Sequence, residues 1–322
     1  MNAPVTRGMI LCAMSSVDLS ERFFRQVDAY RARTYRLRPA LRLKSPDDAV
    51  RFVEERGFIF FWPIQGVELP SLWAAVAGDR PVPSEHDDPG HISWGWKDAL
   101  LGSRRWYYAK ALRGRATIIS MEVAPYFYAL SENYGAPEED YLQQYEQGRM
   151  PLETKNVYEA LLQEGPLDTI ALRRAARLTS RESDHRFNRA LTELQVDFKI
   201  LPVGVAQAGA WHYAYIYDLV PRHFPDLPEK ARFIGERTAT AKLLELYFRS
   251  VGAVPLSQIG KVFRWSVKER EAALERLGGE GVLTRGLRTN QSREEWVALA
   301  ELLEPKVRKS SAQEEPSPRS TV

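Results

Sequence analysis

Two stretches between Pro151 and Leu287 are written in the same grammar, and this repetition limits what the chain can fold into more than any other feature. The first runs Tyr158-Glu-Ala-Leu-Leu, Gly165-Pro-Leu-Asp168, Ile170, then Arg189-Ala-Leu191, Leu194, Ile200-Leu201 and Gly204. The second runs Leu244-Glu-Leu-Tyr-Phe248, Gly252, Leu256-Ser257, Ile259, then Ala273-Leu274, Leu277, Val282-Leu283 and Gly286. Matched positions through the opening part lie 86 to 89 residues apart: Gly165 to Gly252 is 87, and Ile170 to Ile259 is 89. That spacing is the size of a small domain.

Each block predicts a helix ended by glycine and a short extended "Pro-Leu". A second helix comes next, capped by Asp168 or Ser257, whose side-chain oxygens can accept from the first free backbone N–H groups. A third helix then places Ala-Leu-x-x-Leu on one face. A β-hairpin closes the block. In the first block it is built from Phe198 to Val205, a Gln-Ala-Gly turn and a strand from Trp211 to Leu219. Helix, helix, helix, hairpin is the winged-helix order, a helix-turn-helix variant whose third helix normally enters the DNA major groove. The expected fold class is therefore mainly α with small β-hairpins (α+β), in tandem winged-helix domains.

Composition narrows the setting. Hydrophobic residues make up 44% of the 322 and charged residues 27%, the mix of a globular protein. The lone cysteine, Cys12, rules out an intrachain disulfide and a cysteine-based zinc site. No apolar run reaches membrane-spanning length, so a cytoplasmic location, no membrane partner and a monomer are expected. The net charge of +3 favours an anionic partner only weakly, so its distribution matters more. His86, Asp87, Asp88 and His91 lack a metal-ligand spacing, and no nucleotide fingerprint is visible, so neither metal nor cofactor is expected.

The chain divides into four regions. Residues 1–148 form an N-terminal winged-helix-like domain, 149–232 the second, 233–305 the third, and 306–322 a disordered tail of Ser, Pro, Glu and Lys. In the first region, Ser45-Pro46-Asp47-Asp48 starts a helix that Gly57 stops, Phe58-Ile59-Phe60-Phe61-Trp62 is a buried strand, and residues 70–77 return to helix. The segment 79–95, with Pro81, Pro83, Pro89 and Gly90, reads as a long loop, and 122–133 as an aromatic helix.

Duplex DNA is the expected partner. Arg173, Arg174, Arg177, Arg181, Arg186 and Arg189 crowd the third helix of the first block and its approach, a density suited to phosphate contact. Arg104, Arg105, Lys110 and Arg113 surround Trp106 in a second candidate patch. Solvated helix faces and protein docking remain open as alternatives.

The run from Glu164-Gly165-Pro166-Leu167 through Leu191 and Leu194 to Tyr217-Asp218-Leu219-Val220-Pro221-Arg222 resembles the winged-helix DNA glycosylases that release alkylated bases and unhook interstrand crosslinks, the AlkZ/YcaQ-like family. The "Tyr-Asp-Leu-x-x-Arg" is its most specific piece. Ile64-Gln65-Gly66-Val67-Glu68 falls where that family places a Gln-x-Gln or Gln-x-Asp motif. Arg105-Trp106-Tyr107 with Ala111-Leu112-Arg113-Gly114 echo the family's next segment. The resemblance spans most of residues 45–290. It implies a positively lined cradle for duplex DNA and base excision by water attack at C1′.

The second motif position here is Val67, which can neither hold a water nor stabilise a cation. Glu68 would serve as base and Gln65 as water-holder only on a turn, because on an extended strand they point to opposite faces. The alternative is that Glu68 caps the helix near Pro70 and that Gln65 is an ordinary polar residue. Two functions stay open: a glycosylase-related repair enzyme, and a non-catalytic DNA-binding protein or transcriptional regulator.

Overall fold

The computed structural model describes residues 18–19, 21–85, 87–209, 212–289 and 292–303, with backbone alone at Asp18, Ser292 and Arg293. Residues 1–17, the expected tail, His86 and Trp211 lie outside the described residues.

The chain opens with β1 (Asp18–Leu19) and α1 (Glu21–Thr34). Unit 1 comes next: α2 (Pro46–Arg56), β2 (Phe58–Phe60), α3 (Leu72–Ala77), α4 (Ile92–Leu100), β3 (Trp106–Leu112) and β4 (Arg115–Ser120). Two short helices, α5 (Ala124–Tyr128) and α6 (Asp140–Glu146), lead to unit 2. This is α7 (Leu152–Glu164), β5 (Leu167–Asp168), α8 (Thr169–Ala175), α9 (Asp184–Val196), β6 (Ile200–Ala206) and β7 (Ala214–Leu219). After α10 (Val220–His223) and α11 (Leu227–Ala231) comes unit 3: α12 (Glu236–Val251), β8 (Ala253–Pro255), α13 (Leu256–Val262), α14 (Val267–Gly279), β9 (Leu283–Thr289) and β10 (Ser292–Leu299).

Helix, strand, helix, helix, hairpin thus occurs three times. In every copy the lone strand pairs antiparallel with the second strand of the hairpin: β2 with β4, β5 with β7, β8 with β10. Local chemistry explains many of the ends. Ser45 accepts from Asp48 N at the start of α2, and Gly57, at φ 81°, stops it. Asp168 accepts from Ile170 N and Ala171 N at the start of α8. Ala190, Leu191 and Leu194 on α9, and Ala273, Leu274 and Leu277 on α14, are buried as the Ala-Leu-x-x-Leu pattern predicts.

Four expectations change. The segment 79–95 is not all loop, because residues 92–100 are the helix α4. Asp88 accepts from Gly90 N, and Pro89 opens the 3₁₀ turn that runs into α4, so proline and glycine mark a helix entrance here. Ser257 caps nothing: it lies inside α13, whose first turn begins at Pro255 without a side-chain cap. The aromatic helix expected over 122–133 shrinks to residues 124–128. Finally, α1 packs on unit 3 rather than unit 1. Tyr30 Oη donates to Arg249 O (2.8 Å), Thr34 Oγ1 to Ser250 O (2.7 Å), and β1 pairs in parallel with β9.

The sheet of unit 1 divides two cores. Ile59, Phe61, Trp106, Tyr108 and Ile118 face its own helices, whereas Phe58, Phe60, Tyr107, Ala109 and Ile119 face a core shared with the other units. Burial on both faces is why β2 reads as an unbroken apolar run and β3 as one interrupted by the exposed Lys110. The shared core gathers Phe198 and Leu201 from unit 2 and Leu244, Tyr247 and Phe263 from unit 3. This packing fixes the units against one another. No described helix is long and apolar enough to cross a membrane.

Candidate nucleic-acid interface

The three units meet at the tip of the β3–β4 hairpin. Leu112 pairs with Arg115, leaving Arg113 and Gly114 as a two-residue turn, both at positive φ (53° and 68°), the requirement of the tight hairpin turn that suits twisted strands. A Cβ at Gly114 would come within 3.0 Å of Thr192 Cγ2 on α9. Lys110 N donates to Gln195 Oε1 (3.1 Å), which fastens β3 to the same helix. Arg113 reaches the other way and donates to Gly260 O on α13 (2.9 Å). The C-terminal half of α9 is therefore covered by unit 1. Its N-terminal half, with His185, Asn188 and Arg189, stays exposed.

That exposed half borders a hollow of about 630 Å³. Five arginines line it: Arg113 and Arg115 from unit 1, Arg149 before α7, Arg189 from α9, and Arg264 between α13 and α14. Two acids, Glu193 and Asp197, oppose them. A second hollow of about 670 Å³ adjoins it and shares Arg113, Arg149, Val196, Asp197 and Arg264. Its remaining wall has a different chemistry. Phe127, Leu130, Phe263 and Trp265 supply apolar surface, with the last two rings stacked 4.0 Å apart, and Glu132, Glu236 and Glu269 supply carboxylates. The first hollow is cationic, and the second is aromatic and acidic.

Asp197 sits where the two join, at the C-cap of α9. Its side chain is open to the cleft, yet protein crowds it closely enough that desolvation raises its pKa, against the pull of Lys199. Lys199 is buried and donates to Asn133 Oδ1 (2.7 Å). Burial pulls its pKa down to about 8.

Of the sequence-predicted DNA contacts, Arg113 and Arg189 border the cleft. Lys110 is exposed beside it, its Nζ 3.5 Å from Thr192 Oγ1. Trp106 is only 3% exposed and belongs to the core of unit 1, so it has no surface to offer a ligand. Arg173 is spent internally: it donates to Leu178 O and Ser180 O and pairs with Asp184 over the ring of Phe187. Arg105 pairs with Asp47 (2.6 Å) and Arg186 with Glu153 (2.8 Å). Arg104, Arg174, Arg177 and Arg181 are exposed away from the cleft lining. Arg149, Arg264 and Asp197 went unnoticed because each stands singly in its own stretch of chain.

Residues 64–67 do form a turn, with Val67 N donating to Ile64 O (3.1 Å) and Gly66 at φ 72°. Gln65 is exposed on it. Glu68 does not cap α3, whose cap is Ser71. Its carboxylate pairs with Arg31 (3.1 Å), which also donates to Val251 O and Ala253 O and so ties α1 and this turn to unit 3. Neither Gln65 nor Glu68 lines the cleft.

The Tyr217–Arg222 run has a structural explanation. Arg222 donates to Leu161 O, Leu162 O and Gly165 O at the end of α7, of which Leu161 O also accepts from Gly165 N, and is held by Asp218 (2.8 Å), itself 9% exposed. A cation there complements the helix dipole and satisfies orphan acceptors. Replacing Arg222 by Met should lower unfolding stability by about 2–4 kcal/mol, since it leaves the buried Asp218 carboxylate with Leu219 N but no cation and takes the donor from Leu162 O and Gly165 O. Denaturant titration of the two proteins measures it. An unchanged midpoint would show that the cap contributes nothing.

Residues 43–264 match the profile of the family described as AlkZ related. The chain belongs to that family. Among solved structures, the Streptomyces sahachiroi DNA glycosylase AlkZ shares its fold, with a TM-score of 0.52 over 88% of this chain and 71% of that one, at 14% identity. No curated protein matches the chain. The AlkZ-related match includes the Gln65–Glu68 turn, both hairpin strands of unit 1 and Arg264, and it ends two residues after α13.

Proposed function

We propose that this AlkZ-related protein grips duplex DNA in its cationic hollow through three winged-helix units, and that it acts in DNA repair as a base-excising glycosylase. One observation carries the reading: arginines from all three units converge on a single concave surface, onto which the N-terminal half of α9 opens. In helix-turn-helix proteins that half of the recognition helix reaches the bases. Guanidinium groups from separate units suit the spaced phosphates of a duplex. The protein with the shared fold is a DNA glycosylase.

A second reading is DNA binding without chemistry. Glu68 is engaged by Arg31, and Val67 stands where the resemblance implies a polar group. If Gln65 and Glu68 perform hydrolysis, Glu68 has to release Arg31 as the lesion binds.

Titrating labelled duplexes, intact and alkylated, at 50 and 200 mM salt tests the proposal. With about four phosphate contacts, affinity should fall roughly 100-fold over that range. Affinity indifferent to salt would remove DNA as the partner. Salt-dependent binding with no base released from any alkylated duplex would leave the binder and remove the enzyme.

A further inference from the structure

The geometry points to Asp197, rather than the Gln65–Glu68 turn, as the carboxylate that activates water at the sugar C1′ of a nucleotide drawn out of the duplex. The inference rests on the glycosylase reading above and supplies the group that would perform its chemistry.

Position is the first argument. Asp197 lines both hollows, together with Arg113, Arg149 and Arg264. A duplex held by the arginines of the first hollow has its phosphates and sugars there. The second hollow, with Trp265 stacked on Phe263 and carboxylates at Glu236 and Glu269, offers a flat apolar wall and acceptors. An unstacked base needs both, and a base made cationic by alkylation gains further from the carboxylates. The bond between sugar and base then crosses the junction, where Asp197 stands.

Availability is the second. Every other carboxylate on the two hollows is engaged. Glu193 accepts from Thr154 and Arg189, Glu132 pairs with Arg149, and Glu269 accepts from Ser266 N and shares a hydrogen bond with Glu236. The carboxylate of Asp197 receives no hydrogen bond or ion pair among the described residues.

Unfavourable placement is the third. A negative charge at the C-terminus of α9 opposes the helix dipole. In a cleft that binds phosphates it also repels the ligand. Crowding by protein raises its pKa, which strengthens it as a base, while Lys199, Arg149 and Arg264 keep the ionised form accessible. Residues that break local electrostatic rules without a structural gain mark functional sites.

The step balances without any further reactant. Water oxygen bonds to C1′ as the C1′–N bond breaks, and its electron pair leaves on the base nitrogen. The proton lost by water goes to the Asp197 carboxylate and then to solvent. An alkylated cationic base departs neutral.

The test compares wild type, Asp197→Asn and Glu68→Gln on a synthetic duplex carrying one N7-methylguanine, following base release and duplex affinity together. Asn is well tolerated at a helix C-terminus, so Asp197→Asn should fold, and retained affinity reports this in the same experiment. The expected result is base release slowed at least about 100-fold in Asp197→Asn, with affinity equal or higher because a negative charge has left the cleft. Base release by Asp197→Asn at the wild-type rate overturns the assignment and leaves the glycosylase reading standing. Loss of release in Glu68→Gln alone returns the role to the turn. If wild type binds but releases nothing, both the assignment and the enzyme reading fall, and the binding cleft remains.

Discussion

Replacing Arg115, Arg189 and Arg264 together by Gln should weaken duplex affinity by two to three orders of magnitude at 0.1 M salt. The substitution removes one guanidinium from each unit and leaves the shared core untouched. Arg115 and Arg264 are exposed, and Arg189 makes only a surface pair with Glu193, of a kind that contributes about half a kcal/mol or less to stability. Each phosphate contact contributes about 0.9 to the slope of log affinity against log salt, so three contacts amount to roughly 2.7 log units on going down to 0.1 M. The slope itself should flatten by about the same amount. That second readout separates lost phosphate contacts from misfolding, which would abolish binding without a defined slope. Single variants should each lose about tenfold, nearly additively, because the three guanidinium groups come from different units. If the triple variant binds as wild type does, the duplex lies elsewhere, and the exposed Arg174, Arg177 and Arg181 become the place to look.

The contrast between those two sets of arginines shows how far sequence reasoning reaches. Features with a local physical cause were legible. Ser45 and Asp168 cap because a short oxygen-bearing side chain precedes a helix, and Ala190, Leu191 and Leu194 are buried because their spacing puts them on one face. The order of elements in units 2 and 3 was legible from the repeat. Features assembled across units were not legible. Arg149, Arg264 and Asp197 have no company in the sequence, and their meeting depends on how the units pack. Clustering misled in the opposite direction. Arg173 sits among arginines, yet its guanidinium closes the turn between α8 and α9. Trp106 sits among cations, yet β3 is buried on both faces, so its ring belongs to a core. The entrance to α4 was hidden for a third reason: Asp88-Pro89-Gly90 has the composition of a loop and the hydrogen bonding of a helix start.

Concealed with α4 was Lys97, whose replacement by Ala should lower stability by about 3–5 kcal/mol, a large fraction of the roughly 5–15 kcal/mol of an ordinary domain. Its side chain is wholly buried. The ammonium donates to Tyr213 Oη (2.9 Å) and Tyr215 Oη (2.6 Å), pairs with Asp98 (2.5 Å), and lies 4.5 Å from the ring centre of Trp94 and 4.6 Å from that of Tyr215. Phe61, Tyr108 and Tyr213 complete an aromatic enclosure. Desolvation lowers the Lys97 pKa, and Asp98 resists this. The lysine belongs to unit 1 and the two tyrosines to the β6–β7 hairpin of unit 2, so this one side chain latches the hairpin across the boundary. Ala would leave a cavity, two hydroxyls and a carboxylate short of their cation. Met should be less damaging, about 1–2 kcal/mol, because it refills the space and the polar groups already have one another: Tyr213 Oη donates to Asp98 (2.9 Å), and the hydroxyls of Tyr108 and Tyr215 lie 3.4 Å apart. The ordering Ala worse than Met is what separates a packed latch from a purely ionic one, which would penalise both alike. Hydrogen exchange gives the local counterpart: in Lys97→Ala, amides of β6 and β7 should exchange faster, while those of α12 and α14 keep their protection relative to global unfolding. An unchanged midpoint for Lys97→Ala, or exchange in β6 and β7 identical to wild type, would mean that the hairpin is held by the shared core alone and that the enclosed lysine is incidental to it.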